Sequence, residues 1–381
     1  MDPAAAVAGI DELMEEILLR YPPDDPARLV RAAIVCKRWR RILADAGFRR
    51  RFRELHGTPP MLGLLLRRAS SFTEASFTAT SSFRLRGGDL SGRCALDARH
   101  GRVLLARLPL LPRRLENNLS VWDPITGEHL ELPKLPRHRE IVSLGWNAAV
   151  LCASGACEHL GCHRGPFLVV VVCSDVDGVY VHVYSSEAGA WRDLTFAAHY
   201  GGTEQFNLYS FYPSAYAENA IHFMFFSHDT RTGILEYNLG TQEIAQDLLP
   251  DDLDDFGRGV LTTTENGGLG FARVDRLTLY LWSREAGRDG YSIWTQSRTI
   301  DLAMMFDRLI SSHVIGSVHG LHVYFVSTVE GLFSVDLKSG RALKVCNDSD
   351  IQNVFPCTNF CTPALGEVPT VEEPSAGASS A

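Results

Sequence analysis

The side chains with the most chemical potential crowd into one short stretch just before Phe167: Cys152, Cys157, His159, Cys162 and His163. Soft thiolate and imidazole donors of this kind suit zinc. The gaps between them are wider than in a paired knuckle, however, and no second pair follows at a typical distance. The spacing therefore predicts a loop between strands carrying reduced thiols and no metal. The acidic run Asp251, Asp252, Asp254 and Asp255 has the charge for calcium but lacks the glycine and glutamate positions of a helix-loop-helix site, and reads as a solvated loop. Gly267-Gly268-Leu269-Gly270 lacks the third glycine of a dinucleotide loop and reads as a turn into a strand carrying Phe271 and Val274. The sequence has no Gly-Lys-Ser phosphate loop, no paired metal histidines on a helix and no nucleophile elbow. These residues give no catalytic set and imply no cofactor, so the expectation is a binding protein rather than an enzyme.

The elements that must position these residues follow from composition. At 381 residues, 45% hydrophobic and 22% charged, the chain has room for one large and one small domain, and its apolar content suffices for a packed core. A formal net charge of -8 argues against a nucleic-acid partner, which would call for a basic surplus. The first residues lack the basic start and apolar core of a secretory signal and run into Asp11, Glu12, Glu15 and Glu16. The most apolar run, Phe167 to Cys173, is too short for a membrane helix and rich in β-branched valine, so it is expected to be a buried strand. Nine cysteines, an odd number without a pairing framework, fit a reducing compartment, the cytoplasm or nucleus. Two glycosylation sequons, beginning at Asn118 and Asn347, are read as chance matches for the same reason.

From Ile10 to about Leu55 the apolar residues recur at helical spacing, interrupted at Pro22-Pro23-Asp24-Asp25-Pro26. Three helices are expected. Ile10, Leu13, Ile17 and Leu18 form an apolar stripe on the first, with Glu12, Glu15 and Glu16 outside. Asp25 and Pro26 begin the second, which carries Leu29, Val30, Ala33 and Ile34; Trp39, Ile42 and Leu43 lie on the third. The later part is strongly basic, with Lys37, Arg38, Arg40, Arg41, Arg49, Arg50, Arg51 and Arg53, read as a solvated face or a complement to an acidic partner. Helices this short bury little surface alone and need a partner or a neighbouring domain.

The stretch Asp11-Glu12-Leu13-Met14-Glu15-Glu16-Ile17-Leu18-Leu19-Arg20, then Pro22-Pro23, then Val35-Cys36-Lys37-Arg38-Trp39-Arg40, resembles the F-box, most closely the form abundant in grasses. The resemblance covers about the first sixth of the chain. It implies that the helices pack onto a Skp adaptor, which links them to a cullin-RING scaffold. It also implies that Ile10, Leu13, Ile17, Leu18, Leu29, Val30, Val35, Cys36 and Trp39 supply the module's core and adaptor-binding face. Gly9-Ile10 stands where such families usually have Leu-Pro, which implies a weaker opening contact.

From about Ser70 the pattern changes to short alternating runs broken by Gly, Asp and Asn, as in successive antiparallel strands, with helix expected only around Leu302 to Leu309. One hairpin form recurs, with turn anchors at Asp123, Ser185, Asn238, Ser283 and Asp336, spaced roughly as in kelch blades. Trp122, Tyr184, Trp191, Tyr237, Trp282 and Trp294 fall on or beside these strands and are expected mostly in blade core. The fold class expected is multidomain α plus all-β: a helical module at 1–60, a linker at 61–69, a repeated antiparallel domain at 70–362 and a disordered tail at 363–381. Sheets that cannot bury both faces alone favour a β-propeller of five to seven blades, resembling the propellers that follow plant F-boxes though without the kelch doublets; an open sandwich is the alternative. The function this implies is a substrate-recognition subunit of a Skp-cullin-F-box ubiquitin ligase, with an unknown protein target and neither nucleic acid nor membrane as partner. The alternative is an F-box-like scaffold or decoy, and the target cannot be read from one sequence.

Overall fold

The computed structural model describes residues 3–70, 75–85, 90–107, 118–136, 145–155, 157, 159–199, 206–208, 212–227, 231–250, 253, 259–286, 292–303, 305, 312–318 and 320–362. The chain divides into a helical unit, Met1–Gly57 with Phe360–Ala381, and a β unit, Thr58–Asn359. The expected tail at 363–381 and the acidic run at 251–255, apart from Leu253, lie outside the described residues.

The helical unit holds four helices, α1 (Pro3–Leu19), α2 (Pro26–Val35), α3 (Lys37–Ala44) and α4 (Ala46–His56). The extra helix arises because Asp45 adopts an extended backbone, and its Oδ1 accepts the Phe48 N–H at 3.0 Å, so one basic stretch becomes two capped helices. Pro26 opens α2, as expected. Asp25 occupies the cap position, but its carboxylate accepts from Arg28 Nε at 3.0 Å instead of capping the helix. Cys36 takes the capping role at α3, its Sγ accepting the Trp39 N–H at 3.5 Å. Leu18, Leu19, Leu29, Ala32, Ala33, Ile42, Leu43, Phe48 and Phe52 are buried, and the Phe52 ring meets Phe360 edge-on at 6.1 Å.

The β unit is a six-bladed antiparallel propeller. Strands β1 (Met61–Arg68) and β2 (Ser76–Ala79) come first and wait for their partner. The next blade is β3 (Arg93–Arg99), β4 (Arg102–Arg107), β5 (Leu119–Trp122) and β6 (His129–Glu131). Another holds β7 (Gly145–Cys152), β8 (Phe167–Ser174) and β9 (Gly178–Ser185), with β10 (Ala190–Trp191) and β11 (Thr195–Ala198) both pairing with β9. The following one holds β12 (Phe206–Leu208), β13 (Ala215–Ala217), β14 (Ala220–Ser227), β15 (Thr232–Asn238) and β16 (Ile244–Leu248). Then come β17 (Gly259–Thr263), β18 (Leu269–Asp275), β19 (Thr278–Ala286) and β20 (Ser292–Asp301), followed by β21 (Ser312–Val318), β22 (Val323–Thr328), β23 (Gly331–Asp336) and β24 (Arg341–Cys346). Finally β25 (Ile351–Thr358) pairs with β1, closing the ring as the sheet β2-β1-β25.

The core lies between blades. Cys94, Leu104 and Val121 meet Val150, Val169 and Tyr184 across one junction, and Val170 and Val181 meet Ile221 and Leu235 across the next. Met224 and Ile234 meet Leu261 and Phe271; Ala272 and Leu279 meet Val326 and Val335. Phe325 and Leu332 then meet Leu64 and Val354, and Leu65 and Phe355 meet Val103 and Trp122. Six junctions for six blades leave each sheet covered on both faces, which is the physical reason such blades are stable only as a ring.

Residues 61–69 are not a linker: Leu62, Leu64, Leu65 and Leu66 are buried within β1. The expected helix around Leu302 to Leu309 is not present among its described residues, where Leu302, Ala303 and Met305 form bends and turns. The turn anchors hold in four cases. Asp123, Ser185, Asn238 and Asp336 each accept, through the backbone carbonyl, the N–H of the residue four positions on, at 2.8–2.9 Å. Ser283 is different: it sits inside β19 opposite Thr295, because that hairpin is longer. Phe167 to Cys173 is a fully buried strand, and Trp122, Tyr184, Tyr237 and Trp282 are core, while Trp191 and Trp294 are half-buried on outer strands.

Candidate functional site

Helices α1 and α2 each bury one face and leave a second apolar stripe outside. On α1, Leu18 and Leu19 turn inward, while Ile10, Leu13 and Ile17, spaced to share a face, are 49%, 62% and 41% exposed. On α2, Leu29, Ala32 and Ala33 turn inward, while Val30, Ile34 and Val35 are 40%, 79% and 65% exposed. The two stripes together leave six branched aliphatic side chains at the surface of the helical unit. Of the nine residues singled out from the sequence, only Leu18 and Leu29 are core; Cys36 is exposed and caps α3, and Trp39 is half-buried. Ile34 is the residue that the sequence reading left out of the set. Its position one helical turn after Val30 was the available signal.

The stripe's orientation is fixed by charge. Asp11 accepts from Arg38 Nε and from Arg41 at 2.9 Å, and Arg51 bridges Glu15 at 2.8 Å and Glu16 at 2.6 Å. The Arg38 hydrogen bond and the neighbouring Arg41 charge hold the Asp11 carboxyl below its ordinary value. Part of the basic run is therefore an internal complement to α1, and Glu15 is half-buried rather than on the outer face. His56 Nε2 lies 3.0 Å from the Leu19 carbonyl, tying the end of α4 to the end of α1.

Residues 11–51 match the F-box domain family. The helical unit is an F-box. With its acidic first helix clamped by α3 and α4, this F-box turns Ile10, Leu13 and Ile17 outward together, and its second helix adds Val30, Ile34 and Val35. No curated protein matches the sequence. Among solved structures, the chain is similar to the WD40 domain of SCAP from fission yeast at 10% identity and a TM-score of 0.34, covering 68% of this chain and 52%, about half, of that one. It is similar to the periplasmic gluconolactonase PpgL of Pseudomonas aeruginosa at 11% identity and a TM-score of 0.39, covering 80% of this chain and 100% of that one. Hydrazine synthase of Kuenenia stuttgartiensis gives 8% identity, a TM-score of 0.40, and 74% and 78% coverage. Likenesses this distant bear on neither activity nor ligand.

A second constellation lies in the propeller. The ligand atoms of Cys152, Cys157, His159 and Cys162 are all within 4.8 Å of one another, so residues that the spacing kept apart are brought together by the fold. Cys162 Sγ is 3.6 Å from His159 Nδ1, and the His159 N–H donates to Cys157 Sγ at 3.4 Å. Burial, reinforced by the neighbouring Cys152 and Cys157 thiols, pushes the Cys162 thiol well up from its ordinary value. His163 is not part of the set.

Proposed function

We propose that this chain is a substrate-recognition subunit of a Skp-cullin-F-box ubiquitin ligase. Its F-box, within residues 1–60, binds the Skp adaptor, and through it a cullin-RING scaffold; its propeller binds a protein target. The observation that supports this reading is the pair of exposed aliphatic stripes on an F-box whose core is otherwise closed. Ile10, Leu13, Ile17, Val30 and Val35 make the contact surface. Leu18 and Leu29 hold the helices that present it, Cys36 caps the third helix, and Trp39 packs at the margin.

The chain's contribution to catalysis is then proximity: it holds a target near a ubiquitin-charged enzyme and makes no bond itself. Neither nucleic acid nor membrane is a partner in this scheme, and the complex works in the cytoplasm or nucleus. Co-purification of full-length protein with the Skp adaptor and a cullin, abolished by Leu13→Asp with Ile17→Asp, is the expected result. Equal recovery of adaptor with that double variant would remove the proposal's basis.

A second reading rests on Gly9-Ile10 in place of the usual Leu-Pro: a scaffold or decoy that binds the adaptor weakly and delivers no target. The two separate in one experiment. A receptor accumulates ubiquitinated partners when proteasomal turnover is blocked, and a decoy does not.

A further inference from the structure

The strands β7 and β8 form a hairpin whose pairing runs unbroken from Gly145 opposite Ser174 to Cys152 opposite Phe167. Cys152 is thus the last fixed position of a buried strand, and the connection beyond it carries Cys157, His159 and Cys162 back towards it. This stretch, Ala153 to Pro166, offers Leu160 as its one large aliphatic side chain, too little to order a loop by burial. It nevertheless has a defined shape. Cys157 N–H donates to the Ser154 carbonyl at 3.4 Å, Gly165 N–H donates to the Cys162 carbonyl at 2.8 Å across a single 3-10 turn, and His159 sits in the left-handed region at φ +58°. A non-glycine residue adopts that backbone at a cost, and here it swings Nδ1 to Cys162 Sγ.

We infer that Cys152, Cys157, His159 and Cys162 form a four-ligand structural zinc site that clasps the β7–β8 connection. Tetrahedral zinc with thiolate and imidazole ligands places its donors about 3.3–3.8 Å apart. The Cys162–His159 pair already has that separation at 3.6 Å, and all four donor atoms lie within 4.8 Å of one another. The donor set, three sulfurs and one imidazole, is soft and closed, the composition of structural zinc rather than of a site with a position left for substrate. The surroundings also fit. The His100 ring stacks on His159 with centroids 3.8 Å apart and an 11° tilt, and its Nδ1 accepts the Cys152 N–H at 3.1 Å. One residue therefore orients two ligands. Arg102 donates to the Cys162 carbonyl at 2.7 Å and also to the Gly165 carbonyl, placing a guanidinium beside the cluster. Three thiolates around a dication leave one net negative charge, which that guanidinium balances. None of the three cysteines is in a disulfide.

Paired knuckles take both cysteines from one tight turn, whereas here the first ligand comes from a strand end and the others from the loop that returns over it, an arrangement that ligand spacing alone does not reveal. The test uses the full-length chain, purified under reducing conditions without chelator, with zinc measured per chain. About one equivalent is expected, falling at least tenfold in Cys157→Ser and in Cys162→Ser and unchanged in Cys346→Ser, a half-exposed cysteine on another blade. Replacement of zinc by cobalt in the wild-type protein needs no variant to fold. It should give the sulfur-to-cobalt charge-transfer band and the intense visible bands of a tetrahedral thiolate site. Wild-type protein that takes up less than about a tenth of an equivalent after zinc reconstitution, a weak octahedral cobalt spectrum, or full zinc retention in Cys157→Ser would each overturn the inference.

Discussion

Leu65 of β1 stands directly opposite Phe355 of β25, so the first and last strands of the propeller share one sheet. Both side chains are buried in the same junction with Val103 and Trp122 of the neighbouring blade. The pairing continues from Gly63 opposite Cys357 to Arg67 opposite Asn353. Closure of the ring therefore depends on a segment that lies immediately after the F-box in the chain.

A fragment beginning at Ser70 lacks β1, and the closing sheet then loses its central strand. Residues 58–359 should unfold cooperatively on heating, while residues 70–359 should show a broadened transition or fail to stay monomeric, because β25 is left with an unpaired edge. Identical melting curves for the two fragments would refute the role given to β1.

On α1 of the F-box, the exposed Leu13 and the buried Leu18 separate surface from core within a turn and a half of helix. Leu13→Asp, at an exposed site, should change stability by no more than about 0.5 kcal/mol, whereas Leu18→Ala should cost about 2–5 kcal/mol. Trp39→Ala, half-buried, should fall between them at about 1–2 kcal/mol, less than a fully buried aromatic would lose. Urea denaturation of the full-length variants, read by far-ultraviolet circular dichroism at the helical signal, checks the order.

Gly145 of β7 lies where the backbone of β12 in the next blade comes close. A Cβ there would stand 2.0 Å from the Leu208 carbonyl oxygen, a backbone atom that can yield only if β12 moves. Gly145→Ala should destabilise the propeller by about 1–3 kcal/mol, seen as a lower melting temperature with the secondary structure content unchanged.

Acid should weaken the propeller through Glu236. The His222 hydrogen bond and the Arg284 guanidinium, 2.8 Å away, hold its carboxyl down at about 2 from an ordinary 4.5. A carboxyl depressed on folding contributes stability above its unfolded value, and that contribution is lost as pH falls from 4.5 towards 2. Its size is on the order of 2–3 kcal/mol. Glu236→Gln should therefore be less stable than wild type at pH 7 and close the gap at pH 2–3, measured by denaturant midpoints across that range.

The sequence by itself determined the features that local chemistry writes. Helical spacing and the proline break located the helical module, and alternation located most hairpins. The anchors Asp123, Asn238 and Asp336 bond within their own turns through Oδ1, so no distant residue is needed to specify them. Periodicity, however, reports only one-sided burial. Leu62 to Leu66 is buried throughout and carries no one-sided period to distinguish a strand from a linker. A helix with apolar residues on two sides, as α1 has, likewise does not announce which side its neighbours cover. Ring closure and the meeting of Cys152, Cys157, His159 and Cys162 belonged to the tertiary structure alone: the first joins strands from opposite ends of the β unit, and the second depends on a strand end and a left-handed backbone at His159, neither of which is encoded in ligand spacing.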